Sequence, residues 1–156
     1  MGDLINEILT KLKALTDLQT VTIWNSQFEL IDNGGDFSFA MPCAFVELIT
    51  GELQDIGNGY QGSDVNLNIH IGQNYFNGDN ISENLTIFDL RDLVVKQLFK
   101  FQPSKCSIFV KESEEQDFNH SNVYLYILSY KFHWIDNTTV LDETTITNPN
   151  LIINNG

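Results

Sequence analysis

Cations are scarce in this sequence. Of its 156 residues only eight are lysine or arginine, against 21 aspartates and glutamates, for a formal charge of −13 at pH 7. A surface of that sign repels phosphate backbones and disfavours nucleic-acid binding. Lys96, Lys100, Lys105 and Lys111 are too few, and too interspersed with acid, to form a basic stripe. Cysteine is limited to Cys43 and Cys106. Each sits in an apolar, strand-like run, so both read as small core residues outside any disulfide. No run approaches the ~20 apolar residues of a membrane span, and no charged-then-apolar leader precedes a cleavage site. The expectation is therefore cytoplasmic synthesis without export and without a membrane partner.

Catalytic signatures are missing too. The chain has no G-x-S-x-G, no glycine-rich phosphate loop ending in Lys-Ser or Lys-Thr, and no H-E-x-x-H. His70 falls on the polar side of a strand pattern, His120 in a loop and His133 at a strand end, so all three read as surface or rim histidines. Asp32-Asn33-Gly34-Gly35-Asp36 lacks the ligand spacing of a calcium loop and reads as a turn. Asn77-Gly78-Asp79-Asn80 reads as a turn feeding a helix cap. Glu112, Glu114, Glu115 and Asp117 read as a solvated hairpin tip. Glu47 interrupts an apolar strand and is expected to face an edge or to pair with Arg91 or Lys131. No catalytic residue, cofactor or metal is expected.

What is present is pattern. Asn80 to Lys100 reads as a long helix, with Asn80 and Glu83 placed to cap its first turn. Leu85, Phe88, Val95 and Phe99 recur at helical spacing, and Ile87, Leu90, Leu93, Val94 and Leu98 widen the stripe, so the helix should lie on a sheet. Asp3 to Leu15 reads as a first helix through Leu4, Ile5, Ile8, Leu9, Leu12 and Leu15. Glu7 and Lys11 form a favourable i,i+4 pair on it.

Strands are expected at Thr20–Trp24, at Gln27–Ile31 as a possible partner, and from Phe37 to an edge or strand start at Pro42. Cys43–Ile49 has the near-continuous apolar character of a strand covered on both faces. Thr50 to Ser63 holds four glycines, Gly51, Gly57, Gly59 and Gly62, and reads as a long mobile loop. Asp64–Gly72 alternates Val65, Leu67, Ile69 and Ile71 inward against Asp64, Asn66, Asn68 and His70 on a wet face. Pro103 stops the long helix, Cys106–Lys111 reads as a strand, and Glu112–Asn122 as a polar turn region. Val123–Trp134 is the longest strand. It places Tyr124, Tyr126, Leu128, Tyr130, Phe132 and Trp134 on one face, and Val123, Leu125 and Ile127 on the other until Ser129, Lys131 and His133 turn that face polar. The predicted fold is α+β: a mostly antiparallel sheet with two helices packed on one face over residues 1–136, then an extended tail over 137–156.

The order of elements carries a resemblance. A leading amphipathic helix, a strand introduced by proline (Pro42-Cys43-Ala44-Phe45-Val46-Glu47-Leu48), a glycine loop, the alternating strand Val65–Ile71, a long helix and a final hairpin make an acidic domain. Over about residues 3 to 136 it resembles the tail terminator or tail completion proteins of long-tailed bacteriophages, of the minor tail protein U type, and their neck relatives. The resemblance implies a non-enzymatic virion protein, assembled in the host cytoplasm. It implies a homo-oligomeric ring, usually a hexamer, that caps the tail tube and meets a head-side connector or neck protein. In that family sheet edges and loops make the subunit and tube contacts, and the lumen is commonly acidic, so DNA passes without specific binding. By position, Glu52 and Asp55 of the glycine loop are expected at the lumen or tube contact, and the tail after Ile135 on a neighbour. Tyr60, Asp64, Lys131, His133, Trp134, Leu151, Ile152 and Ile153 join them as residues expected at a subunit or tube interface or at the lumen.

Two alternatives follow from the same residues. One is another ring or adaptor of a phage neck or contractile injection machine. The other, of a different class, is a small ligand-binding or enzymatic α+β domain whose aromatic strand lines a pocket around Tyr126, Tyr130 and Trp134.

Overall fold

A computed structural model describes residues 1–32, 39–75, 81–120, 123–138 and 140 of the chain. The fold is α+β, a six-stranded mixed sheet with three helices among the described residues. The helices are α1 (Gly2–Lys13), α2 (Gln27–Asp32) and α3 (Ile81–Leu98). The strands are β1 (Thr20–Ile23), β2 (Cys43–Thr50), β3 (Gln54–Gly57), β4 (Tyr60–Asn74), β5 (Val110–Asp117) and β6 (Val123–Asp136).

β4 is the axis of the sheet. Fifteen residues of extended chain run roughly 48 Å. One edge of β4 pairs antiparallel with β6 along its whole length, from Gln61↔Asp136 to Asn74↔Val123. The other edge pairs first with β2, from Cys43↔Gly72 to Thr50↔Val65, and then with β3, at Gln54↔Gly62 and Asp55↔Gln61. β1 adds to β2 in parallel, and β5 closes the far side against β6.

The register sorts the side chains onto two faces. Val65, Leu67, Ile69 and Ile71 share one face with Ala44 and Val46 of β2 and with Leu128, Tyr130, Phe132 and Trp134 of β6. Leu4, Ile8, Leu9 and Leu12 of α1, and Ile87, Leu90, Val94 and Leu98 of α3, complete this core. The buried seam of α3 thus differs from the expected stripe: Leu85, Phe88 and Phe99 are exposed. A nearly all-round apolar pattern leaves the facing arc to be chosen by the sheet beneath it.

The second face carries a smaller core of Phe28, Cys43, Phe45, Val123 and Leu125. It is covered by α2, the segment expected as strand Gln27–Ile31. Phe28 is fully buried, with its ring packed on Gly72 and the Cys43 sulfur, where an added Cβ would meet ring carbons at 2.5 and 2.7 Å. Six residues with one buried anchor cannot be told from a strand by periodicity.

Three further expectations are corrected. Residues 50 to 63 contain β3 and the start of β4, because Gly57, Asn58 and Gly59 all take positive φ and fold the segment back on itself. Cys106 makes only an isolated bridge to Trp134, and strand structure resumes at Val110. The acidic stretch Glu112–Asp117 is in β5, where Glu114 lies opposite Leu128.

The turn expected at 32–36 lies outside the described residues except for Asp32, which ends α2, and of the segment expected as strand from Phe37, residues 39–42 are described and are not strand, which begins at Cys43. The turn at 77–80 with its Asn80 cap, and Leu151, Ile152 and Ile153 of the tail, lie outside the described residues. Both cysteines are free and buried. Burial pushes the Cys43 thiol up to about 12, so it stays protonated at neutral pH.

Candidate functional site

Beyond Thr50, β3 and the first residues of β4 form a hairpin arm at the end of the sheet, its β4 strand also paired with β6 from Gln61↔Asp136 onward. Every residue from Ile49 to Tyr60 is exposed. The turn takes φ of 92° at Gly57, 53° at Asn58 and 78° at Gly59, a left-handed run that glycine and asparagine accept at little cost. Asp55 stabilises it by accepting a hydrogen bond from the Gly57 amide at 2.8 Å. The arm also displays Leu53, Ile56 and Tyr60, exposed by 45, 53 and 38%, and Ile49 at the end of β2 is exposed by 47%. The Asn58-Gly59 dipeptide is the sequence signal for this hairpin.

At the base of the arm, Asp64, Lys131 and His133 come together on the open part of the second face. Asp64 carboxylate oxygens lie 3.3 Å from Lys131 Nζ and 3.3 Å from His133 Nδ1. Hydrogen bonds from His133 and then Lys131 hold the Asp64 carboxyl below its ordinary range. The His133 ring rests on Gly62, where a Cβ would meet Nε2 at 2.8 Å.

Further along the same face a polar row crosses three strands. Glu47 Oε2 accepts from Asn68 Nδ2 at 2.8 Å and pairs with His70 Nε2 at 3.0 Å, and Asn68 Oδ1 accepts from Ser129 Oγ at 2.9 Å. His70 is therefore neither a rim residue nor on a wet face. It is 6% exposed, and Trp24 stacks on it with centroids 4.1 Å apart. Burial lowers its pKa despite the pull of Glu47. Glu47 meets His70 and Asn68 in place of the expected Arg91 or Lys131. Ser129 donates to an amide oxygen, and its hydrogen bond reaches no imidazole, so the row does not build an activated nucleophile. It ties β2, β4 and β6 together.

Of the residues expected to act together, the structure brings Glu52, Asp55, Tyr60, Asp64, Lys131 and His133 to the arm and its base. Trp134 is separated from them. It is 7% exposed and belongs to the helix-covered core, because its β6 neighbour His133 takes the opposite face. Tyr130, 3% exposed, packs with Phe109 in that core, while Trp134 lines an opening of about 330 Å³ with Leu4, Lys105 and Asp136 that Tyr126 and Tyr130 do not line. Among the described residues no group of three or more His, Cys, Asp or Glu side chains could hold a metal ion.

No known family matches. A comparison with protein-family models finds none, and one with well-characterised proteins finds no relative.

Arg91 and Glu114 are the pair that sequence reasoning missed. The guanidinium reaches from α3 to β5, with Nε to Oε2 at 3.0 Å and Nη2 to Oε1 at 2.7 Å. Lys111 also donates to Glu114. Burial alone would raise the Glu114 pKa, but these donors together hold it below its ordinary value.

Proposed function

We propose that this chain is a non-enzymatic subunit of a ring like those of phage tail terminators. It would seat on the end of a tail tube and present its other side to a head-side connector or neck protein. The observation that carries the reading is the arm. Leu53, Ile56 and Tyr60 stand partly in water on this hairpin, with Ile49 beside them at the end of β2. A contact with a neighbour would bury them, at about 25 cal/mol per Å² of apolar surface removed from water.

The order of elements over residues 3 to 136 supports the same reading. So does the charge of −13, since a negative wall lets DNA slide past without sticking. Six copies per ring follow from the resemblance. The virion as location and the host cytoplasm as place of assembly belong to the same proposal.

The test is electron microscopy of the full chain mixed with tail tubes. Rings at tube ends are expected with the wild type. They should be lost when residues 52–59 are replaced by a short glycine-containing turn, with the melting temperature nearly unchanged because the arm holds no core. A well-folded wild type that never occupies tube ends overturns the reading.

A further inference from the structure

The eight cations are not evenly used. Arg91, Lys111 and Lys131 are in ion pairs, and Lys105 donates to Asn137. The other four, Lys11, Lys13, Lys96 and Lys100, have no carboxylate within ion-pair distance among the described residues. All four sit at the C-terminal ends of α1 and α3. Those ends touch, with Gln97 Nε2 donating to the Lys11 carbonyl at 2.7 Å.

Lysines there complement the helix dipoles, but the dipoles do not account for what lies between them. Lys11 lies over the Phe101 ring and Lys100 over Phe99, each at 5.4 Å, and Phe99 is 71% exposed. Asn6, Thr10 and Ala14 follow one another along α1 at one-turn spacing and, with Lys11, Gln97 and Phe101, line an open groove of about 640 Å³. Glu7, the acidic residue on its wall, is engaged by the Ser104 amide at 3.0 Å. The groove itself carries one lysine and one glutamate, and Lys13, Lys96, Lys100 and the exposed Phe99 belong to the same two helix ends beside it.

We infer that this groove receives the β3–β4 arm of a second copy of the chain. The arm has the opposite character: Glu52 and Asp55 among Leu53, Ile56 and Tyr60, with no cation between Thr50 and Lys96 except Arg91, which is already paired. Its apolar side chains cover Phe99 and Phe101 while its carboxylates meet the unpaired lysines. The groove's lining includes no residue of its own subunit's arm. Arm and groove are different surfaces, so the contact is head-to-tail and closes into a ring where the rotation permits. The inference rests on the ring reading and names which surfaces of the subunits meet.

The experiment is sedimentation equilibrium of the full chain across concentration and salt, with charge reversals. Self-association weakened by high salt is expected. Lys13→Glu with Lys96→Glu, both exposed positions, should weaken it about tenfold or more. Glu52→Lys should do the same, and the three changes together should restore it. Lys11→Glu in the groove with Lys100→Glu beside it is a second test, with thermal melts to confirm the fold.

Reversals without effect, or a wild type that stays monomeric at every attainable concentration in low salt, overturn the pairing. So does a groove that takes double-stranded DNA in preference to a second copy. Tube-end binding separates the two ideas. If the reversed variants still cap tubes as rings, the pairing fails and the ring reading stands. If the wild type caps nothing, the ring reading itself fails.

Discussion

Gly62 and His133 are in direct contact across β4 and β6: a Cβ on the glycine would lie 2.8 Å from Nε2 and 3.0 Å from Cε1 of the imidazole. His133 is half-exposed and can swing away, so Gly62→Ala should change stability little. It should instead remove His133 from Asp64. The measurement is the Asp64 titration by NMR, and its pKa is expected to rise toward the ordinary aspartate value. An unchanged Asp64 would mean that Lys131 alone sets it.

Gly72 presents the opposite case. A Cβ there meets Phe28, which is fully buried and has nowhere to go, and Cys43 Sγ at 3.2 Å. Gly72→Ala should cost about 1–3 kcal/mol in denaturant unfolding, as overpacking does. Phe28→Ala should cost about 3–5 kcal/mol by leaving a cavity. Combined, the two should cost clearly less than their sum, because the small side chain occupies space the ring has left. Strict additivity would place Phe28 elsewhere.

Arg91 and Glu114 join α3 to the edge strand with a two-pronged bond, each side chain about a quarter exposed (25% and 28%). Solvent screening reduces what such a pair contributes. A double-mutant cycle with Arg91→Ala and Glu114→Gln should give a coupling of about 1 kcal/mol that shrinks in high salt. Hydrogen exchange in β5 should quicken in either single variant.

His70 sets an acid limit. Its folded-state pKa is lowered, chiefly by burial and against the opposing pull of Glu47, Asp117 and Glu29. The unfolded chain therefore binds a proton at a higher pH than the folded one. Stability is full above the unfolded histidine pKa and falls as the pH drops through it, from about 6.5 downward. Melting temperature should decline over that range in the wild type, and His70→Gln should flatten the decline. An equal slope in both would sink the assignment. Asp64 and Glu114, whose pKa values are lowered, add their own losses only at more acidic pH.

The elements legible in the sequence were those whose pattern has one physical solution. Val65, Leu67, Ile69 and Ile71 alternate without interruption, and β4 holds all four in the core. Along β6 the change from Val123, Leu125 and Ile127 to Ser129, Lys131 and His133 marks where the second face leaves its cover and meets water. α3 was legible as a helix but not in its facing, since Leu85, Phe88 and Phe99 are as apolar as the seam that is buried. Of the candidate site, Asp64, Lys131 and His133 were named for an interface, but nothing local shows that they touch. That follows from the register between β4 and β6.

The sequence alone determined the class of fold, the position of the long helix and the two longest strands, and the acidity of the surface. These depend on residues near one another along the chain. Only the tertiary structure decided that Gln27–Asp32 is a helical cover, that Glu47 meets His70, that residues 50 to 63 form a hairpin arm, and that the four unpaired lysines sit at two joined helix ends. Each of those depends on groups brought together from distant parts of the chain, and pairing across a sheet or between helices is not written in the periodicity of either partner.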